Sequence, residues 1–378
     1  MSFRFPHWEA ATLEIGMRVL QVIDSLIPAG AEVLVKELAP VFQVRGLNVT
    51  VAVLKILDSP LEKELRDNGV HFLPTAAGGI YSPRQILHLA KYMGDYDLVH
   101  AHLFPVQLWT AAAVRLCPAR PVLVTTEHNP DNNRRRSWLR PLDRWLYRAY
   151  DAIACNSQAT ADALAVWAPG IRDKLQVVPN GIPLARFGSA DPIPKREVVG
   201  SDVPVVTFVA RLEPQKDHAT LLRSMAAVSR AHLLLVGDGE LRPRLGRLAQ
   251  ELGIQNRVHF LGRRSDVPQL LKMSDVYVHS THSDGFGMAA VEAMAAGVPV
   301  IASLVPGLAE VVGGAGVLVP VGDSQVLAKE ISALLASPAR REQLSEAGRE
   351  RALQFTIEAC AEAYIRLYES LLAGRRQG

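Results

Sequence analysis

From Met17 onward the chain repeats one pattern: a short run of Val, Ile and Leu, a polar or small-residue loop, then a helix-length segment before the next run. Runs that stay apolar without alternation belong to strands buried on both faces, and spacers of helix length permit parallel crossovers. In the first half the predicted strands are MRVLQVI from Met17, LNVTVAVL from Leu47, DYDLVHAH ending at His102, PVLVTTEH ending at His128, DAIACNS ending at Ser157 and KLQVVPN ending at Asn180. In the second half they are VPVVTFVAR from Val203, AHLLLVGDG from Ala231, RVHFLG from Arg257, SDVYVHS ending at Ser280, PVIAS ending at Ser303 and GVLVP ending at Pro320.

Between the two sets lies GIPLARFGSADPIPKREVVGSD, rich in Pro, Gly and charge, which reads as a linker without elements of its own. A chain of 378 residues exceeds what one core usually sustains, so the pattern resolves into two doubly wound, Rossmann-like α/β domains. The expected layout is an extension over 1–16, a first domain over 17–190, a linker over 191–202, a second domain over 203–350 and a C-terminal helical segment over 351–378 that packs back toward the first domain. Met17 reads equally as an alternative translation start.

A hydrophobic fraction of 49% beside 21% charged residues is that of a globular chain. The net charge of +3 permits attraction to nucleotides, phosphorylated lipids or an anionic membrane face, and is too small to argue for nucleic acid. Cys117, Cys155 and Cys360 have no metal-like spacing, which points to a reducing compartment and so to a cytoplasmic location. Neither a transmembrane helix nor a secretory signal is expected from the apolar runs or from the opening residues.

Ligands of doubly wound sheets bind beyond the carboxyl ends of the strands. The residues there are unusually polar, and both halves carry them, so one site in a cleft between the domains is expected. Gly30, with Glu32 behind it, opens a helix after the first strand without a GxGxxG pattern; it is either a close backbone approach to a substrate or a plain turn. His100 and His102 share one side of a strand and would line a polar pocket or ligate a metal, although no Asp or Cys pattern completes a ligand set. Glu127 and His128 end the next strand, where His128 either touches a reacting sugar or merely caps its strand.

Arg211 and Lys216, in VARLEPQKD, would hold a diphosphate together with the N–H groups of the following helix, or else are ordinary solvated charges. Gly237, in VGDGE, marks a tight turn. In STHSDGFGMAAVEAMAAGVPVIAS, Gly285 and Gly287 free the backbone around Phe286 to approach a ligand. Glu292 lies within an apolar helix, where an unpaired carboxylate is expensive. It therefore has a local partner, or it points into a cleft and accepts from the two hydroxyls of a ribose. Asp284, in the same segment, would reach a different part of that ligand. Two acids on one side of a cleft do not look like the acid and base of a hydrolase.

Asp284 to Glu292, within HSDGFGMAAVEAMAAGVPVIAS, resembles the E-x7-E signature of the retaining glycosyltransferases of family 4, a GT-B group. PAGAE resembles the family's glycine loop, DLVHAHLF and TTEHN its two histidine segments, VPNGI its hinge-side loop, and VARLEPQKD with LLLVGDGE its donor-domain loops. The resemblance implies a GT-B fold of two Rossmann-like domains facing across a cleft. It implies transfer, with retention, of a hexosyl unit from a UDP- or GDP-sugar to a glycan or lipid-linked sugar, with no bound metal or cofactor.

The same resemblance implies roles for single residues. Glu292 would be the ribose acid, Arg211 with Lys216 the diphosphate clamp, and Asp284 a neighbour of the transferred sugar. His128 would contact the donor sugar and Gly30 would lie near the phosphates. Asn180, Gly237, Gly285, Phe286 and Gly287 would surround the donor, with His100, His102 and Glu127 on the acceptor side. Three positions depart from the family pattern: Asp284 replaces Glu, Asp217 replaces the usual glycine, and SLVPGLAE ending at Glu310 replaces a double-glycine form. A GT-B epimerase or phosphorylase, or a non-catalytic nucleotide-sugar binding protein, would share the cleft.

The stretch DNNRRRSWLRPLDRWLYRAY, residues 131–150, interleaves Arg134, Arg135, Arg136, Arg140, Arg144 and Arg148 with Trp138, Leu139, Trp145 and Tyr147. It reads either as a peripheral contact with an anionic membrane, placing the protein at its inner face in surface-glycan synthesis, or as a helix with a solvated basic face.

Overall fold

A computed structural model describes residues 16–75, 78–131 and 135–377. The expected extension before Gly16, and Arg134, lie outside the described residues. The first sheet has seven strands: β1 (Arg18–Ile23), β2 (Asn48–Val53), β3 (His71–Pro74), β4 (Leu98–His102), β5 (Val122–Glu127), β6 (Ala152–Cys155) and β7 (Leu175–Val177), in the order β3-β2-β1-β4-β5-β6-β7. The second has six: β8 (Val205–Val209), β9 (His232–Val236), β10 (Val258–Gly262), β11 (Val276–His279), β12 (Val300–Ser303) and β13 (Val317–Val319), in the order β10-β9-β8-β11-β12-β13. Every neighbouring pair of the second sheet is parallel. These are two doubly wound, Rossmann-like sheets, the elements of a GT-B fold.

Each run predicted as a strand contains one, and burial explains why: β5 is buried at every position and β1 at all but its first. One strand, β3, was not foreseen. It is an edge strand whose residues are exposed or half-buried, so its sequence, HFLP, carries no buried apolar run. The segment read as a linker is corrected too, since it contains two short helices, Leu184–Gly188 and Lys195–Val199. Each is held by one buried side chain, Phe187 in the first and Val199 in the second, and Gly200 ends the second in the left-handed region.

By compactness one unit ends at Val124 and resumes at Tyr368, and the other runs Thr125–Leu367. In the first, the helix Gly30–Val44 buries a stripe of Leu34, Val35, Leu38 and Phe42. Tyr368 of the C-terminal helix Ile357–Gln377 is fully buried there, its ring 6.0 Å from that of Phe42. In the second, one apolar core joins Phe208, Leu235, Tyr277, Ile301 and Ile331, and Tyr364 bonds Thr126 Oγ1 at 2.9 Å. Caps set the helix starts: Ser157 accepts from Thr160 N, and Asp217 from Thr220 N. Asp217, one of the departures from the family pattern, is thus a capping residue.

Candidate active site

In the second sheet the chain order reverses between β8 and β11, so a crevice is expected beyond their carboxyl ends. The loop after β8 is braced by the loop after β9. Ala210 N donates to Val236 O at 3.0 Å, Leu212 N to Asp238 O at 3.0 Å, and Leu241 N to Leu212 O at 3.1 Å. The backbones run so close that a Cβ at Gly237 would lie 2.0 Å from the Ala210 carbonyl oxygen, and Gly237 has a φ of +135°. VGDGE is therefore more than a turn, because it fixes the path of the strand-to-helix loop that carries Arg211. The Arg211 guanidinium is paired with Glu213 Oε1 at 2.7 Å and remains largely exposed.

The same loop is stitched to the one after β11. Asp217 N donates to Ser280 O at 3.1 Å, His282 N to Gln215 O at 2.9 Å, and Gln215 Nε2 to Ser283 O at 2.8 Å. These bonds carry Lys216 to Asp284, whose Oδ2 receives both the Lys216 ammonium and His279 Nε2, the latter at 2.9 Å. Asp284 Oδ1 accepts from Phe286 N at 3.2 Å. Burial raises the Asp284 carboxyl, but the Lys216 charge and the His279 bond outweigh it and hold the group well below the usual carboxylate range. Burial lowers His279. Nothing in the sequence reading singled out His279. Its signal was the alternation Tyr277, His279 on one face of β11, with an acid shortly after.

Gly287 has a φ of +84° and precedes the helix Met288–Ala295. A Cβ there would meet Leu308 Cδ1 at 2.4 Å, and one on Gly285 would lie 2.2 Å from His128 O. Phe286 sends its ring into the core, edge-on to Phe355 at 5.3 Å, so only its backbone is presented at the loop. Glu292 is half-buried on Met288–Ala295, and its charge adds to the burial that raises the Tyr277 phenol.

Glu127 and His128 end β5 differently. Glu127 is buried and its Oε1 accepts from Tyr147 OH at 2.8 Å. The His128 carbonyl accepts from Asn156 Nδ2 at 2.8 Å, and burial lowers the His128 imidazole to about 4. Asn156, buried and also bonded through Oδ1 to Thr160 Oγ1 at 2.9 Å, was another residue the sequence did not flag. Asn180 is buried with Oδ1 lacking a hydrogen-bond partner among the described residues. Its neighbours are locked: Ile182 N donates to Phe355 O at 2.9 Å, Ile357 N to Ile182 O at 3.0 Å, and a Cβ at Gly181 would lie 2.5 Å from Thr356 O.

In the other unit, Gly30 is exposed and opens the helix Gly30–Val44. His100 and His102 are fully buried, with ring centroids 4.1 Å apart. His100 Nδ1 bonds Tyr368 OH at 2.6 Å, His102 Nε2 bonds Gln21 Oε1 at 2.7 Å, and Gln21 Nε2 donates to Tyr368 OH at 3.2 Å. This network ties the pair to the C-terminal helix.

On the helix Arg140–Arg148 the basic and aromatic residues divide. Arg140 is spent on the carbonyls of Trp167 and Val166, and Arg135 on that of Pro130. Arg136, Arg144 and Arg148 are exposed beside Trp138, Leu142 and Trp145. Among the described residues, no group of three or more His, Cys, Asp or Glu is placed to hold a metal, and no helix is long and apolar enough to cross a membrane.

The site chemistry is thus a cation and an acid joined at a sheet's reversal point, with backbone N–H groups and a second cation, Arg211, on the same loop as Lys216. Such a set suits a ligand carrying both phosphates and hydroxyls. Comparison with known proteins points the same way. Residues 190–351 match the model of glycosyl transferases group 1, and residues 28–186 that of glycosyltransferase family 4. The chain is 31% identical over 227 residues to the lipopolysaccharide core biosynthesis glycosyltransferase LpsE of Rhizobium meliloti (strain 1021), covering 59% of this chain and 66% of that protein. It is 27% identical to the phosphatidyl-myo-inositol mannosyltransferase of Mycobacterium leprae (strain TN), across 95% of this chain and 97% of that one. For the first curated relatives, the matched segment spans 53% to 66% of their own length. The Anabaena protein Alr3699/HepE, solved in complex with UDP-glucose, superimposes with a TM-score of 0.82 at 25% identity, over 94% of this chain and 99% of that chain. The chain belongs to the family 4 glycosyltransferases of GT-B fold.

Proposed function

We propose that the protein transfers a hexosyl unit from a UDP- or GDP-sugar to a glycan or lipid-linked sugar, with retention at the anomeric carbon. The observation that carries this reading is the ion pair of Lys216 with Asp284 Oδ2, formed between the loops at the carboxyl ends of β8 and β11. The UDP-glucose complex of the Anabaena protein supports a nucleotide-sugar donor, and the names of the curated relatives support an acceptor in the cell envelope.

In this reading Arg211 and Lys216 meet the negative charge that grows on the departing diphosphate, joined by backbone N–H groups of the adjoining helix, and no bound metal takes part. Glu292 accepts from the ribose hydroxyls, and Asp284 stands near the transferred sugar. Asn180, with its buried acceptor, and His128, which burial keeps neutral at pH 7, take polar contacts to the sugar. The acceptor hydroxyl attacks on the face the nucleotide leaves, through an oxocarbenium-like state.

The test is a panel of UDP- and GDP-hexoses, incubated with and without acceptor, with the product linkage read by NMR. Acceptor-dependent transfer with retained configuration is expected. Conversion of donor without acceptor, a requirement for inorganic phosphate, or an inverted product would overturn the reading. Lys216→Ala is expected to lower turnover far more than it lowers the melting temperature.

A further inference from the structure

We propose that His279 is a positioning residue for Lys216: it shares Asp284 Oδ2 with the ammonium, so that the acid orients the cation without holding it back from a diphosphate. This rests on the reading of Lys216 as part of the diphosphate clamp. The starting point is a chain of hydrogen bonds buried beneath the site. Tyr277 and His279 lie on one face of β11, and both are buried. The Tyr277 hydroxyl lies 3.2 Å from His279 Nδ1, and His279 Nε2 lies 2.9 Å from Asp284 Oδ2. Since the Asp284 carboxylate only accepts, Nε2 carries the proton, and Nδ1 of the neutral ring accepts from the Tyr277 hydroxyl. The imidazole is then the Nε2–H tautomer, and it donates to the acid.

Both rings are buried, so this tautomer is enclosed in the core, and Phe208 packs against His279 with ring centroids 5.6 Å apart. The charged groups facing His279 are Asp284 and Lys216. Asp284 is a short acid with its oxygens committed: Oδ1 to Phe286 N, Oδ2 to both Lys216 and His279. A neutral donor on Oδ2 disperses the charge that the ammonium feels. Without that donor, Oδ2 is left to Lys216 alone, and the lysine is held where it is. The position therefore bears on the turnover step more than on donor capture.

The experiment combines steady-state kinetics on UDP- and GDP-hexoses with 15N NMR of the imidazole. His279→Leu is expected to lower kcat roughly tenfold, equivalent to about 1.4 kcal/mol, while donor KM stays within about twofold. His279→Gln, whose amide N–H can reach the same oxygen, is expected to recover most of the loss. Tyr277→Phe, which keeps the ring and frees the tautomer, serves should His279→Leu fold poorly, and is expected to move kcat in the same direction. In an Asp284→Asn background, His279→Leu is expected to add nothing. An equal loss in both backgrounds, or parental kcat in His279→Leu, overturns the proposal. Parental turnover in Lys216→Ala would instead remove the clamp reading. The hydrogen bond is read separately, since the His279 Nε2–H resonance is expected at neutral pH and should shift in Asp284→Asn. A signal from the other tautomer overturns the proposal on its own.

Discussion

Gly237 lies against Ala210 so closely that no side chain fits between them: a Cβ would come within 2.0 Å of the Ala210 carbonyl oxygen, at a φ of +135°. The contact braces the loop that carries Arg211. Gly237→Ala is expected to cost roughly 2–4 kcal/mol, from backbone strain and overpacking together. Urea unfolding would measure it, and calorimetry with UDP should show weaker binding at temperatures where the variant remains folded. An unchanged unfolding midpoint would mean that the two loops part easily.

Glu292 offers a test of the ribose role. Replacement by Gln keeps the size and removes the charge, so nucleotide affinity should weaken by roughly 1.5–3 kcal/mol, the scale of charge-assisted hydrogen bonds. The melting temperature without nucleotide should hold. The reverse outcome, a lower melting temperature with normal UDP and GDP affinity, would make Glu292 a structural acid bonded inside its own α/β domain.

Burial lowers both His128 and His218 to about 4, below the ordinary 6.5. In the unfolded chain these imidazoles take up protons as pH drops below about 6.5, whereas in the folded protein they resist until near 4. Their contribution to stability is therefore full above pH 6.5 and is lost as pH falls from 6.5 toward 4. His218, packed on Phe208 at 4.7 Å, is the cleaner probe. Unfolding midpoints of His218→Phe between pH 4 and 8 should show a shallower acid limb than the parent, and an identical slope would count against the buried neutral imidazole.

Much of this architecture is readable before any coordinates. The strands are explicit because β-branched and leucine runs buried on both faces admit little else. What escapes reading is set by tertiary neighbours. β3 is an edge strand with little to bury, and the helices Leu184–Gly188 and Lys195–Val199 each hang on one buried side chain within a polar stretch. At the site, Lys216 and Asp284 stand out singly, but their meeting depends on two loops that only the sheet order brings side by side. His279 hides because a histidine that ends an apolar strand looks like part of the strand. At Phe286 the sequence speaks for the backbone, freed by two glycines, and is silent on the ring, which packs on Phe355.

The basic, aromatic surface of the helix Arg140–Arg148 leads to a prediction about membranes. With Arg135 and Arg140 bonded to carbonyls, the cations of this stretch left exposed among the described residues are Arg136, Arg144 and Arg148, with Trp138 and Trp145 exposed too. At about 1 kcal/mol for each cation near an anionic surface, reversing Arg144 and Arg148 to Glu should cut sedimentation with phosphatidylglycerol vesicles at least tenfold and leave binding of free UDP unchanged. Equal sedimentation of parent and variant would mark the helix as an ordinary solvated face.

The pairing of Ile182 with Phe355 and Ile357 has a consequence for how the chain is made. During synthesis the VPNGI segment leaves the ribosome long before residues 355–357 exist, and domains generally begin to fold as they emerge. The setting of Asn180 is completed only when residues 355–357, about 175 positions later, arrive, because its neighbours Gly181 and Ile182 rest on them. A nascent chain that has not yet exposed residues 355–357 thus lacks the backbone against which Gly181 and Ile182 rest, so the surroundings of this buried amide form late relative to the strands before it.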